Sequence, residues 1–305
     1  ITSRVFKVEQ KYHIPVMLDE ILEYLNLAPG KIIIDATLGT AGHALKILEK
    51  ITPGGKLIGL DRDEEALEKA RERLSGYKGS FNLAHSSFND MDKVLKDLGI
   101  EKVDGILFDL GISSVQLDDP KRGFSFQNEG PLDMRLDRNN QILAYDLVNN
   151  LNQEELSELI WNFGEERWHN RIARFLVQER ERHPISTTLE LSSIVTKAVP
   201  VRFRHYRIHP ATRTFQAIRI AVNRELETLE SALGKTTELL KAGGRICVIS
   251  FHSLEDRIAK NLIRGYAKLG VLKILTKKPI RPTDEEITKN PRSRSAKLRV
   301  AERAD

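Results

Sequence analysis

The sequence predicts an α/β fold: a mostly parallel sheet interrupted by a helical insert. Three observations predict it. Short apolar runs alternate with amphipathic helical patterns from residue 15 to about residue 110. The alternation stops near Gly111 and resumes near residue 216. The last two apolar runs are joined by a basic loop, which fits an antiparallel edge and not another crossover helix.

In chain order, "PVMLDEILEYLNLA" (15–28) has apolar positions at helical spacing, with Pro15 suited to a first turn and "PGK" ending the helix. Strand-like runs follow at 31–37, 56–61, 80–85 and 103–110, with helical patterns near 41–51, 63–75 and 89–98 between them. Residues 118–215 carry helical patterns such as "NQEELSELIWNFG" and "ERWHNRIARFLVQERERH" and no run of comparable strand quality. Then come a long helical pattern at 217–240, a strand at 243–251, a helix from Ser253, and short apolar runs at 271–276 and 296–301. The simplest division is one discontinuous domain, 1–115 with 216–305, around an inserted helical domain at 116–215 that would recognise the substrate.

Composition narrows the class. The chain has 305 residues, 40% hydrophobic and 30% charged, enough for a full core. No apolar run approaches the length of a membrane span. The first ten residues lack the apolar centre of a signal peptide, and the chain starts at Ile1, which reads as trimmed. A single cysteine, Cys247, excludes an internal disulfide and a cysteine-based zinc cluster. Together these predict a cytoplasmic protein and leave monomer and homodimer open. The net charge is +5, unevenly spread. Residues 167–224 hold twelve Arg or Lys against three Glu, and residues 273–303 hold ten basic against four acidic. Two such clusters predict a nucleic-acid partner.

The stretch "DATLGTAGHA" (35–44) joins a strand to a helix through Gly39 and Gly42. It is neither a GxGxxG nor a P-loop sequence, so the glycines alone do not name a ligand. Asp35 precedes the turn, and Asp61 ends the next strand. An acid at that second position can accept both hydroxyls of a ribose, a device shared by NAD and S-adenosylmethionine enzymes. A carboxylate beside a carbonyl-rich turn suits the cationic S-adenosylmethionine better than a pyrophosphate. The plainer alternative makes Asp35 and Asp61 helix caps.

Asp109 ends the fourth strand in "ILFDLGISSVQLDD" (106–119). An acid there can accept hydrogens from an exocyclic amine and aim its nitrogen at a methyl donor. Methylation at a pyrimidine carbon would instead need a thiolate. Cys247, mid-strand, reads as a buried structural thiol.

These motifs resemble a family, the bacterial MraW/RsmH-type methyltransferases of small-subunit ribosomal RNA. The resemblance rests on "YHIPVMLDE" (12–20), "DATLGTAGHA", "GLDRD" (59–63), "ILFDLGISSVQLDDPKRGFSF" (106–126), "GPLDMR" (130–135), "GEERW" (164–168), "HPATRTFQAIRIAVNRE" (209–225), "SFHSLEDR" (250–257) and "NPRSRSAKLRVAER" (290–303). It implies a Rossmann-like, class I S-adenosylmethionine-dependent methyltransferase sheet. It implies methylation of a cytidine N4 in 16S ribosomal RNA, free or in a ribosomal subunit particle. By the same resemblance Ala41, Gly42 and His43 contact the cofactor, Asp61 holds the ribose, and Phe88 packs by the adenine. Asp109 and Gln116 complete the pocket. The family turn reads G-x-G-G-H. Here Ala41 replaces a glycine, which predicts a negative φ at that position. Arg122 and Phe124 in "RGFSF", Asp133 in "GPLDMR" and Arg213 in "HPATRTF" are candidate RNA or active-site contacts.

Simpler roles exist for several of these: a ligand-free helix residue at His43, core packing at Phe88, an interface salt bridge at Arg213. In "SFHSLEDR" the spacing of His252, Glu255 and Asp256 is poor for a single metal ion, and no metal is expected. A structural or RNA-facing role, with Ser253 capping the helix and Asp256 near Arg257, is the expectation. Two other functions fit the same scaffold: an NAD-dependent oxidoreductase and a non-catalytic ribosomal RNA assembly factor.

Overall fold

The computed structural model describes residues 14–204 and 208–305. The signal-peptide expectation, and Tyr12 and His13 of the 12–20 motif, lie outside them. The chain divides into two compact units, residues up to Gly111 with Leu226–Asp305, and Ile112–Glu225. The boundary expected at 215/216 would have cut a helix.

The first unit opens with α1 (Leu18–Tyr24), β1 (Ile32–Asp35), α2 (Gly42–Ile51), β2 (Lys56–Asp61), α3 (Glu64–Arg73), β3 (Phe81–His85), α4 (Met91–Asp97) and β4 (Val103–Asp109). α1 is shorter than its apolar pattern, because Met17 before it and Asn26 after it both take left-handed backbone. The second unit holds α5 (Ser114–Asp118), α6 (Ala144–Asn150), α7 (Gln153–Gly164), α8 (His169–Arg180), α9 (Thr188–Ala198) and α10 (Thr212–Asn223). Its helices surround one apolar cluster that includes Leu156, Ile160, Ile172, Leu191 and Ile218. The first unit resumes with α11 (Glu225–Leu239), β5 (Leu240–Ser250), α12 (Ser253–Lys268), β6 (Leu272–Ile274), α13 (Asp284–Lys289) and β7 (Lys297–Arg303). The helix expected at 217–240 is therefore two helices. They part at Arg224, whose φ of 49° breaks the ladder with neither glycine nor proline to announce it.

The seven strands run in the order β3-β2-β1-β4-β5-β7-β6. Pairing is parallel from β3 to β5, and β7 runs antiparallel to both β5 and β6. Successive residues of a strand point to opposite faces, and both faces are covered. Ile33, Leu57, Leu107 and Ile249 pack against α1, α2 and α3 residues such as Ile21, Ile47 and Leu67. Ile34, Ile58, Ile106, Phe108 and Val248 pack on the other face with Leu95, Leu233 and Ala259. Among the described residues no helix is long and apolar enough to cross a membrane.

Strand order reverses between β1 and β4, and in such sheets ligands bind at the carboxyl ends of the strands there. Asp35 and Asp109 are the last residues of those two strands, and Asp61 is the last of β2. Phe108, fully buried one residue before Asp109, fixes that end of β4. Phe108→Ala should lower the unfolding free energy by about 3–5 kcal/mol, read by urea unfolding.

Candidate active site

The turn after β1 is built by backbone amides finding carboxylates. Gly39, at φ 51°, donates its N–H to Asp61 Oδ2 at 2.7 Å, and Asp63 N–H donates to Asp61 Oδ1 at 2.9 Å. Asp61 is not the cap of α3; Asp63 is, accepting from Glu65 N–H. Asp35 caps no helix either. Its Oδ1 accepts from Thr37 N–H at 3.3 Å, while α2 begins only at Gly42. Thr37 ties the two central strands together, because its Oγ1 accepts the N–H of Asp109 at 2.6 Å.

Ala41 is the N-cap of α2, with φ 60° and ψ 38°. The expected negative φ is wrong: the residue keeps the left-handed conformation that a glycine would take freely, at a strain of roughly 1–2 kcal/mol. It is fully buried, so its methyl group recovers apolar contact. Gly42 is bare for a reason internal to the protein. A Cβ there would sit 2.8 Å from Pro15 Cγ.

His43 lies in the first turn of α2 and is 5% exposed. Its Nε2 is 2.9 Å from the Val16 carbonyl, and its Nδ1 is 3.6 Å from Asp109 Oδ2. A carbonyl only accepts, so Nε2 carries hydrogen. Asp109 Oδ1 is buried with no hydrogen-bond partner. Phe88 follows β3, half-buried, with its ring edge-on to Phe108 at 5.7 Å and the Arg62 guanidinium 5.5 Å above it. It is part of the core's margin.

The three acids share one electrostatic problem. Burial pushes the Asp35 carboxyl up to about 7, the Thr37 amide opposing and nearby Asp61 adding to the rise. Burial also raises Asp61. Asp109 is held well above the usual carboxylate range by burial, then by repulsion from Asp35 and from Glu255. Among the described residues none of the three is paired with Lys or Arg. A cationic ligand relieves this strain, and a pyrophosphate would deepen it. The donor set therefore fits S-adenosylmethionine and argues against NAD.

Glu255, weighed in the sequence only as a metal ligand, lies close enough to raise the Asp109 carboxyl. It is 3% exposed, and its Oε2 accepts from Phe251 N–H at 2.8 Å and His252 N–H at 3.3 Å. The cap of α12 is His252 and not Ser253, and His252-x-x-Glu255 has the spacing of a capping box, a legible signal. Asp256 pairs with Arg299 at 2.6 Å and Lys297 at 3.3 Å, and so does not rely on Arg257.

In the second unit, Gln116 is buried and its Oε1 accepts from Ser113 N–H, closing the capping box of α5. Arg122 is 3% exposed and donates to the carbonyls of Arg135 and Leu136. Phe124 belongs to the apolar cluster. Both contribute to the fold of this unit. Asp133 is held by Arg135 through Nε and Nη2, both at 2.8 Å, which keeps its carboxyl low against the opposing effect of burial. Arg213 is exposed, with its Nη1 on the Glu165 carbonyl at 3.0 Å. Several arginines of the 167–224 cluster are likewise structural. Arg180 donates to Val148 O and Arg219 grips Glu225 through two nitrogens. Arg167, Arg171, Arg174 and Arg202 are exposed.

A family model described as the MraW methylase family matches residues 10–304. The chain belongs to that family. Among relatives named "Ribosomal RNA small subunit methyltransferase H", that of Brevibacillus brevis is 46% identical, over 96% of this chain and 98% of its own. The one from Halothermothrix orenii is 48% identical over 95% and 98%, and the one from Caldicellulosiruptor bescii 50% over 95% and 99%. Within the matched span, Asp35, Asp61, His43 and Asp109 gather at one end of the sheet.

The Asp35 shift has a sign that can be tested. Its carboxyl titrates at about 7 when folded, against 3.8 ordinarily. Between those values the folded state holds more protons than the unfolded state, so this group's contribution to stability falls as pH rises. Urea unfolding of ligand-free protein should show Asp35→Asn gaining stability relative to wild type on going from about pH 5 to about pH 8.

Proposed function

We propose that this protein methylates the exocyclic N4 of a cytidine in small-subunit ribosomal RNA, using S-adenosylmethionine. The observation that carries the reading is the trio of uncompensated carboxylates at the strand-order reversal of a MraW-family chain. Asp61, with two lone-pair directions already filled by Gly39 and Asp63 amides, keeps others for ribose hydroxyls. Asp35 and Asp109 supply negative charge where the cofactor carries positive charge. When bound, the cofactor supplies an activated methyl group on a sulfonium. Asp109 Oδ1, buried and unpartnered, is the acceptor that orients the target amine. Cys247 is buried in the sheet, and burial raises its thiol far above neutrality, which supports direct attack by nitrogen and no covalent intermediate.

The RNA is held mainly through phosphates. In the second unit Arg167, Arg171, Arg174 and Arg202 are exposed, and in the first unit so are Lys277, Lys278, Arg281 and Arg294. The target base leaves its stack to reach the acids. The setting is the cytoplasm, with ribosomal RNA or a subunit particle as substrate.

Asp109→Ala should cut methyl incorporation into small-subunit ribosomal RNA by at least ~100-fold. N4-methylcytidine measured by mass spectrometry checks this, and unchanged incorporation would refute the mechanism and favour an assembly factor. Replacing Arg171, Arg174 and Arg202 together by Ala should lower the slope of log affinity against log salt by about 2–3, with methylation chemistry at saturating RNA preserved.

A further inference from the structure

Methylation of an amine leaves one proton to be removed, and the structure offers more than water to take it. The peptide unit between Val16 and Met17 is clamped at both ends. Its carbonyl accepts from His43 Nε2 at 2.9 Å, and its N–H donates to Glu286 Oε1 at 2.7 Å. Asn290 Nδ2 donates to the neighbouring Ile14 carbonyl at 3.3 Å. Pro15, between them, lies on Gly42. The strap therefore fixes which ring nitrogen of His43 bears hydrogen. The other, Nδ1, presents its lone pair toward Asp109 Oδ2, 3.6 Å away. Asp109 Oδ1 is buried and has no hydrogen-bond partner.

We infer that Asp109 and His43 form a proton relay, in which Asp109 takes the proton released by the methylated amine and shares it with His43 Nδ1. The inference rests on the function proposed above. The balance is simple. As the N4–carbon bond forms, the methyl carbon's bond to the donor sulfur breaks and its electron pair stays on sulfur as a neutral thioether, so the positive charge passes to the nitrogen, which sheds it by losing one N–H. The Asp109 carboxylate accepts that proton on Oδ1. Rotation of the carboxyl about its Cβ–Cγ bond then turns the protonated oxygen to His43 Nδ1, giving either an acid–imidazole or a carboxylate–imidazolium pair. The 3.6 Å gap closes by a small side-chain rotation, as catalytic contacts do on substrate binding. The proton leaves to water through Asp109, whose side chain is 24% exposed, once the product departs. His43 acts through Asp109 and is a positioning residue in this scheme.

The surroundings favour the arrangement. Among the described residues, the groups whose repulsion reaches Asp109 are Asp35 on β1 and Glu255 on α12, with Asp61 near Asp35 and Glu286 beyond the strap. All are acidic. A cluster of carboxylates opposes another negative charge on Asp109 and welcomes a proton shared with an imidazole.

His43→Gln is the informative variant, because its amide can still donate to the Val16 carbonyl but offers no base at the Nδ1 position. Single-turnover methylation of small-subunit particles from a strain lacking the activity should fall about 10–100-fold at its plateau. Its acid limb should move to lower pH, since Asp109 alone holds the proton less firmly. The variant's urea-unfolding midpoint should stay close to that of wild type, which a collapsed site would not allow. Unchanged plateau and limb would overturn the relay. Independently of folding of the variant, ¹⁵N-histidine NMR of the wild-type protein should show His43 as the Nε2–H tautomer near neutral pH. A neutral Nδ1–H tautomer would overturn the relay as well. Wild-type protein that forms no N4-methylcytidine would count against the proposed function, while the NMR result would still decide the geometry of the pair.

Discussion

Three carboxylates stand at the carboxyl ends of β1, β2 and β4 with no Lys or Arg beside them among the described residues. Much of the local structure around that end of the sheet exists to hold them there. Backbone amides of Thr37, Gly39 and Asp63 donate to the acids, and Thr37 Oγ1 accepts the amide of Asp109. Each such bond offsets only part of the cost of burying a charge. The remainder appears as raised carboxyl pKa values, largest in cause from burial and reinforced by mutual repulsion. A site so arranged is poised for cations, because binding energy is released when a positive ligand replaces an absent counter-charge.

The glycine turn serves this arrangement less directly than glycine-rich turns usually do. Gly39 uses its freedom to reach left-handed backbone and aim an amide at Asp61. Gly42 makes room for Pro15, so its bareness serves the strap and through it His43. Ala41 accepts left-handed backbone without being glycine, and its buried methyl offsets part of the strain. Bare backbone at a strand-to-helix turn is thus no proof of a ligand at each glycine. Here one glycine positions an acid, and the other seats a segment of the same chain.

Most of the sheet was legible in the sequence because period-2 apolar runs bounded by turns have few other readings. All seven strands fall within their expected runs or within about three residues of them. What failed was marked by no residue type. Arg224 and Met17 take left-handed backbone, so the helix patterns around them overran. Asp35, Asp61, His43 and Asp109 were legible as a set because strand ends and one turn bring them together. In the sequence Arg122 and Phe124, an arginine and an aromatic beside a glycine, look like an exposed binding surface. Both are buried, and Arg122 satisfies two carbonyls that would otherwise be orphaned. The capping role of Glu255 is legible in its spacing from His252, but its repulsion of Asp109 is long-range and leaves no local trace.

The identity of residue 109 carries one more consequence. An asparagine would accept a hydrogen bond from an amine as well as aspartate does, and burying it would cost far less. The chain nonetheless keeps an acid there, beside Asp35 and within the influence of Glu255. Orientation alone does not require the charge. Charge at that position makes sense where the ligand brings positive charge into the site and the reaction then leaves a proton behind. Aspartate answers both demands, first as the partner of a cation and then as a base whose affinity for a proton its neighbours have already raised. The same burial that destabilises the ligand-free carboxylate raises its affinity for a proton, which suits it to the proposed role of acceptor.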